Sequence, residues 1–195
     1  MDKLIVNYEA LASHSLYYFV NALDNICRFQ GRTTFFYSVL HHSYYVSLVA
    51  QENNFDKTVQ FVCLFHDFPE VIIGDWHRVV KKHVSKFYNV KLLEDEILDF
   101  FLKKFTPEEV YEDYLKRKEE VDYRVNLCDK FFIAKEVKKF DLDDFIYRDK
   151  QEKDTFLKRY ENALKTNIVI KPEKNIKERF MKRYAELVAT SESLV

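Results

Sequence analysis

Glycine and proline are scarce in this chain, and their scarcity constrains the fold more than any other feature of the sequence. Only 2 glycines and 3 prolines occur in 195 residues. A sheet protein of this size needs many tight turns, and such turns draw on these two residue types. Hydrophobic residues make up 47% of the chain, enough for a substantial core. We therefore predict an all-α fold of long helices joined by few breaks.

The length of the chain and the lack of a dividing linker favour one domain. No internal repeat, low-complexity tract or Gly/Ser-rich linker divides residues 1–195, and this length suits a single domain of ordinary size. The start of the chain lacks the pattern of a signal peptide, and no apolar stretch has the length of a membrane span. Three well-separated cysteines predict reduced, buried thiols. We expect a cytoplasmic protein without a membrane partner.

The charge balance limits the partners of the protein. The formal net charge is -1, whereas bulk binding of nucleic acid usually needs a clearly basic face. We therefore expect no stable nucleic-acid partner. An anionic ligand must therefore be bound by a few basic residues at specific positions or by a metal.

Apolar periodicity gives the approximate positions of the helices. Gly31 is expected to end the first helix, and residues 32–38 to form a loop or a short extended link. Pro69 should begin a new helical turn that Gly74 closes. Helices are predicted over about 8–30, 39–51, 56–67, 75–88, 91–104, 106–140, 151–165 and 173–190.

A His-Asp pair ends the apolar run VQFVCLFHD at 59–67. Burying an imidazole and a carboxylate without partners is costly, and a divalent metal removes that cost because both groups are good ligands. Glu70 follows His66 and Asp67 at a spacing that places all three on one side of a helix. Metal binding alone does not require the two further acids Glu70 and Asp75. Their carboxyl groups are suited to transferring protons and orienting a water molecule.

Further ligands are predicted on two other helices. His42 lies on the helix face that should meet the core, whereas His41 is rotated by about 100° and is expected to be peripheral. Asp129 lies within a second apolar run, RVNLCDKFFIA at 124–134, where an isolated carboxylate also needs a partner. The sequence therefore predicts one divalent metal with the ligands His42, His66, Asp67 and Asp129.

These residues resemble the HD-domain phosphohydrolases, and within them the small bacterial and phage 5'-deoxynucleotidases. The resemblance covers about residues 25–140 and rests on VLHHSYYVSLVA (39–50), LFHDFPEVIIGD (64–75), VVKK (79–82) and NLCDKFF (126–132). It implies a helical bundle with the metal between central helices and a catalytic core at about 25–140. The C-terminal segment 141–195 has no counterpart in the family pattern.

The resemblance implies catalytic roles as well. The resemblance implies that the four predicted ligands bind the metal, and that Glu70 orients or deprotonates the attacking water. Asp75 would contact the leaving oxygen or the sugar. Two histidines and two aspartates accept Co, Mn, Zn, Ni, Fe or Mg, so the identity of the metal stays open.

The resemblance also implies which side chains hold the substrate. An arginine ahead of the first histidine contacts phosphate in this group, and Arg28 is the first candidate and Arg32 the second. Lys81 matches a family lysine after the Gly-Asp pair and is expected to contact phosphate. Trp76 either stacks on the base or belongs to the core. The letters WHR at 76–78 stand where the family often has a Pro-rich turn, so base preference stays open.

The implied function is hydrolysis of a deoxynucleotide, with conversion of a dNMP to a deoxynucleoside and phosphate as the first interpretation. A dNTP triphosphohydrolase of the phage type, acting for example on dATP, is an alternative. A third interpretation is a non-catalytic nucleotide sensor that keeps the fold and the metal. Members of the family are often homo-oligomers, so a homodimer or a larger assembly is expected.

Overall fold

The computed structural model of the chain describes residues 6–192, and for residues 190–192 it describes the backbone alone. The described residues are all-α, as predicted: they form helices and one isolated bridge between Cys27 and Ser38, but no strand. Among them, no helix has both the length and the apolar composition needed to cross a bilayer. The α-helices are α1 (Tyr8–Ala12), α2 (Leu16–Asp24), α3 (Val39–Glu52), α4 (Lys57–Phe65), α5 (Glu70–Ile73), α6 (Arg78–Val84), α7 (Val90–Phe105), α8 (Glu108–Lys116), α9 (Lys118–Phe140), α10 (Asp143–Ile146), α11 (Lys150–Tyr160) and α12 (Ile176–Glu192).

Local capping signals explain why the helices near the centre of the chain begin and end close to their predicted positions. The Ser38 hydroxyl accepts the His41 N–H at the start of α3, and the Asp56 carboxylate accepts the Val59 N–H at the start of α4. Such side-chain acceptors satisfy backbone donors that a helix leaves unpaired. Gly74 ends α5 with a φ of 80°, a conformation that glycine adopts without strain.

The prediction of one helix over 8–30 is wrong. Ser15 caps α2 and separates it from α1, and α2 ends at Asp24. The chain then forms a 3-10 turn at Arg28–Gly31, in which Gly31 has a φ of 76°. Backbone groups of residues 26–28 bond across the loop to residues 37–39 instead of continuing the helix. These long-range bonds have no signature in apolar periodicity.

Other helices differ from their predicted bounds. The predicted helix over 106–140 is two helices, because the chain breaks at Arg117, which has a φ of -118°. The Arg117 guanidinium there bonds to Asp56, Asp113 and Glu120. The helix α10 was not predicted, α11 ends at Tyr160 instead of near 165, and α12 begins at Ile176 instead of near 173. Cys63 and Cys128 are free and buried, whereas Cys27 is free but exposed, contrary to prediction.

Three helices form the centre of the described structure. Helices α3, α4 and α9 all pack against one another, and α12 covers α2, α3 and α4. Helices α7 and α8 pack on α4, while α10 and α11 pack on α9. The start of α3, the end of α4 and the middle of α9 therefore meet inside the bundle. The core between the helices is rich in fully buried aromatic rings, among them Phe19, Phe61, Phe65, Phe68, Phe101, Phe131, Phe132 and Phe180.

Candidate metal centre and adjoining cavity

Two imidazoles and one carboxylate converge where the three central helices meet. His42 lies in the first turn of α3, His66 is the C-cap of α4, and Asp129 lies in the middle of α9. One ring nitrogen of each histidine and one oxygen of Asp129 lie within 4.8 Å of one another. Imidazole and carboxylate groups at such spacing could hold a divalent metal ion.

Asp67 flanks this triad. Its Oδ1 lies 3.4 Å from Nε2 of His66, and its Oδ2 lies 3.7 Å from Nε2 of His42. Asp67 therefore faces each ring with a different oxygen and is not part of the tighter group of His42, His66 and Asp129. The structure thus brings all four predicted ligands together, with three of them in closer mutual contact.

The hydrogen bonds of His66 test whether these residues fit a metal. Nδ1 of His66 lies 2.7 Å from the carbonyl oxygen of Cys63. A carbonyl only accepts, so Nδ1 carries the proton and Nε2 presents its lone pair to the cluster. Nε2 of His66 is buried and has no hydrogen-bond partner. An unpaired buried nitrogen is costly, and a metal would be a fitting partner for it.

Glu136 orients His42, and the sequence analysis missed it. Its Oε1 lies 2.8 Å from Nδ1 of His42 and accepts the hydroxyl of Tyr37 at 2.7 Å. Its Oε2 accepts Nε of Arg28 at 3.4 Å. Metal-ligating histidines commonly donate their other N–H to a carboxylate. A usable signal was present, because Glu136 follows Asp129 by about two helical turns and so shares its face of α9.

The charges around the cluster oppose the ordinary effects of burial. Burial and the charge of Arg28 would lower the pKa of His42, but Glu136 and Asp129 outweigh them and raise this pKa to about 9. Burial would raise the pKa of Asp129, but Lys130, at 2.8 Å, and His42 hold it well below its usual range. The cluster is therefore built to stabilise positive charge between its carboxylates.

Glu70 and Asp75 lie beside the cluster and line one cavity of about 470 Å³ together with Asp67 and Asp129. Oε2 of Glu70 is buried without a hydrogen-bond partner. Burial, Asp67 and Asp75 raise the pKa of Glu70 well above its usual range. Asp75 accepts the N–H of Phe29 at 3.2 Å, and burial raises its pKa against the opposing charge of Arg28. Carboxyl groups with raised pKa values are suited to exchanging protons near neutral pH.

Only some of the predicted substrate-binding residues lie at the cavity. Arg28 is buried, lines the cavity and pairs with Asp67 at 3.3 Å. Lys81 and Trp76 line the cavity too, and Trp76 is 38% exposed, so it is not a core residue. Arg32 is not among the lining residues, and its guanidinium lies 4.4 Å from the ring centroid of Phe145. The structure therefore brings Arg28 to the site and leaves Arg32 outside it.

The prediction that His41 is peripheral is wrong. His41 is buried, and its Nδ1 accepts the backbone N–H of Ser38 at 3.2 Å. Together with the Ser38 hydroxyl it forms a capping box at the start of α3. A histidine at this helical position can accept the backbone N–H of the N-cap residue. The helical face on which a residue lies does not reveal this role.

The cavity has a further wall that the sequence analysis did not identify. It comes from the C-terminal segment, to which no role was assigned, and from one residue of α9. The residues on this side are Ile133, Phe145, Ile146, Tyr147, Phe156 and Tyr160.

Comparison with known proteins assigns no family. The sequence matches none of the protein-family models against which it was scanned, and a search of curated proteins finds no relative. Fold and site together define an all-α protein with a candidate metal centre of His42, His66 and Asp129 beside a cavity lined by both acidic and basic side chains.

Proposed function

We propose that this protein is a metal-dependent phosphohydrolase of the HD-domain type, and that it acts as a 5'-deoxynucleotidase. One observation carries the proposal. The four predicted ligands meet between the central helices, and Glu70 and Asp75 line the same cavity beside them. A site that only bound a cation would not need two further carboxyl groups with raised pKa values.

His42, His66, Asp67 and Asp129 would hold one divalent cation. When bound, such a cation neutralises charge on a phosphate and lowers the pKa of water. Co, Mn, Zn, Ni, Fe and Mg remain candidates, because two nitrogen and two oxygen ligands accept each of them in some degree. The hydrogen bonds from His66 to the Cys63 carbonyl and from His42 to Glu136 would keep both rings oriented toward it.

The other lining residues would carry the proton transfers and bind the phosphate. Glu70 would orient the attacking water and accept its proton, because its free Oε2 and raised pKa suit a general base. Water would attack phosphorus, the bond from phosphorus to O5' would break, and Asp75 would deliver a proton to the departing oxygen. Lys81 and Lys130 line the same cavity and would contact phosphate oxygens.

The charges that line the cavity favour a monophosphate over a triphosphate. The lining contains as many basic side chains as acidic ones: Arg28, Arg78, Lys81 and Lys130 against Asp67, Glu70, Asp75 and Asp129. Each of these basic side chains already has a carboxylate partner: Arg28 pairs with Asp67, Arg78 with Glu152, Lys81 with Glu94 and Lys130 with Asp129. The lining therefore offers no surplus of cationic groups for the further phosphates of a triphosphate, and the dNTP triphosphohydrolase remains the second candidate.

A panel assay tests the proposal. Phosphate release is measured with dNMPs and dNTPs under several metals, with chromatography of the products to identify the bond that is cut. The metal-loaded Glu70→Gln protein should lose about 10²–10⁴-fold in rate while keeping its metal content. Glu108→Gln, at an exposed position of α8, is the matched control.

Two results would count against this function. A folded, metal-loaded Glu70→Gln protein with the wild-type rate would remove Glu70 from the chemistry. Nucleotide binding without hydrolysis under every metal would favour the non-catalytic sensor.

A further inference from the structure

The cavity has a chemically mixed lining. Two of the candidate ligands, Asp67 and Asp129, line it with Glu70 and Asp75, and so do apolar and aromatic side chains of residues 145–160. We call this second group the aromatic wall: Phe145, Ile146, Tyr147, Phe156 and Tyr160. It lies outside the part of the chain that resembles the HD-domain family. A ligand that fills the cavity of about 470 Å³ therefore meets both charged and apolar side chains.

The aromatic wall is tied to the loop that follows Asp75. Nε2 of His77 donates to the carbonyl oxygen of Phe145 at 3.0 Å, and the two rings lie 4.5 Å apart between centroids. Arg78 pairs with Glu152 of α11 at 2.6 Å. The wall is thus tied to the loop that follows Asp75, and both line the same cavity, so one small ligand can contact both.

Tyr147 carries a polar group with no partner in the protein. Its side chain is 7% exposed, its hydroxyl is buried without a hydrogen-bond partner, and the residue lines the cavity. The ring packs against Phe156 with centroids 5.5 Å apart, and Phe156 packs against Tyr160 at 4.9 Å. Burial and the charge of Asp143 raise the pKa of Tyr147 to about 12, so its hydroxyl is neutral and can both donate and accept.

We propose that the aromatic wall is a nucleobase subsite, in which Tyr147 hydrogen-bonds to a polar atom on the edge of the base. The placement of the phosphate beside the candidate metal ligands rests on the proposed function. The rings of the wall contact the face of the base, which every nucleobase offers. The Tyr147 hydroxyl supplies discrimination, because a buried polar group left unpaired disfavours a ligand that cannot satisfy it.

Tyr147→Phe is the variant that tests this subsite, because it removes one oxygen and keeps the ring. We expect kcat/KM for the preferred dNMP to fall about 10-fold, mainly through KM, as for the loss of one hydrogen bond. The rate with 2-deoxyribose 5-phosphate, which has no base, should stay unchanged. Tyr123→Phe, at an exposed position of α9 that is 64% accessible, is the matched control. An equal loss with both substrates, or no loss with either, would overturn the proposal.

Binding of deoxynucleosides separates this inference from the proposed function. Trp76 is the single tryptophan of the chain and lines the cavity, so its fluorescence reports on occupancy. Deoxynucleosides should quench it saturably, and about 10-fold more weakly in Tyr147→Phe. Such binding without any hydrolysis of nucleotides would contradict the proposed phosphohydrolase activity and support the nucleobase subsite. Hydrolysis of dNMPs with no effect of Tyr147→Phe on rate or binding would support the activity and contradict the subsite.

Discussion

Replacement of Glu136 by Gln is the sharpest perturbation of the site that leaves every candidate ligand in place. Glu136 is fully buried, and three donors converge on its carboxylate: Tyr37 at 2.7 Å, His42 at 2.8 Å and Arg28 at 3.4 Å. Glutamine has nearly the same shape, but it carries no charge and turns one acceptor oxygen into a donor. At least one of the three donors must then face another donor.

The magnitude follows from these contacts. Removing one partner of a buried charge pair costs about 3–5 kcal/mol, because the other charge is left uncompensated. Arg28 would keep Asp67, at 3.3 Å, as its paired carboxylate. We therefore expect the free energy of unfolding of the metal-free protein to fall by about 3–5 kcal/mol. Loss of the carboxylate that orients His42 should also weaken metal binding by about 10–100-fold.

Two measurements check this expectation. Urea unfolding of the metal-free proteins gives the change in stability, and calorimetric titration with Mn²⁺ gives the change in affinity. Glu119→Gln, at an exposed position in the first turn of α9, is the matched control and should change neither quantity. Tyr37→Phe removes one donor but keeps the charge of Glu136, so its effects should be smaller. Wild-type stability together with wild-type Mn²⁺ affinity in Glu136→Gln would refute the reasoning.

Two further predictions concern the metal. His66→Ala should weaken Mn²⁺ binding by more than the ~10–100-fold expected for a residue that only orients a ligand, and an unchanged metal content by elemental analysis would exclude His66 as a ligand. Mn²⁺ affinity should rise roughly tenfold per pH unit between about 6.5 and 9, because the metal must displace a proton from His42, whose pKa is about 9 in the folded protein. The protonated form of His42 stabilises the metal-free fold fully below about pH 6.5, and this contribution is lost as the pH rises through about 9. Titrations and unfolding curves across this range that do not vary with pH would contradict the prediction.

Local features of the sequence were sufficient for the class of fold and for helices α3 and α4. Few glycines and prolines limit the number of tight turns, and Asp56 and Ser38 cap α4 and α3 wherever the rest of the chain lies. The breaks at Ser15 and Arg117 were missed, because the apolar spacing continues across them while the bonds that stabilise them come partly from distant residues such as Asp56.

The same distinction holds for the candidate site. The sequence by itself was sufficient to select the candidate ligands, since His42, His66, Asp67 and Asp129 stand out as polar groups within or beside apolar runs. Only the tertiary structure decided that Glu136 orients His42 and that Tyr147 lines the cavity. The physical reason is that both roles depend on contacts between helices far apart in sequence. The spacing of Glu136 from Asp129 places both on one face of α9. No local pattern, however, records which ring that carboxylate faces, or which aromatic side chains close a cavity.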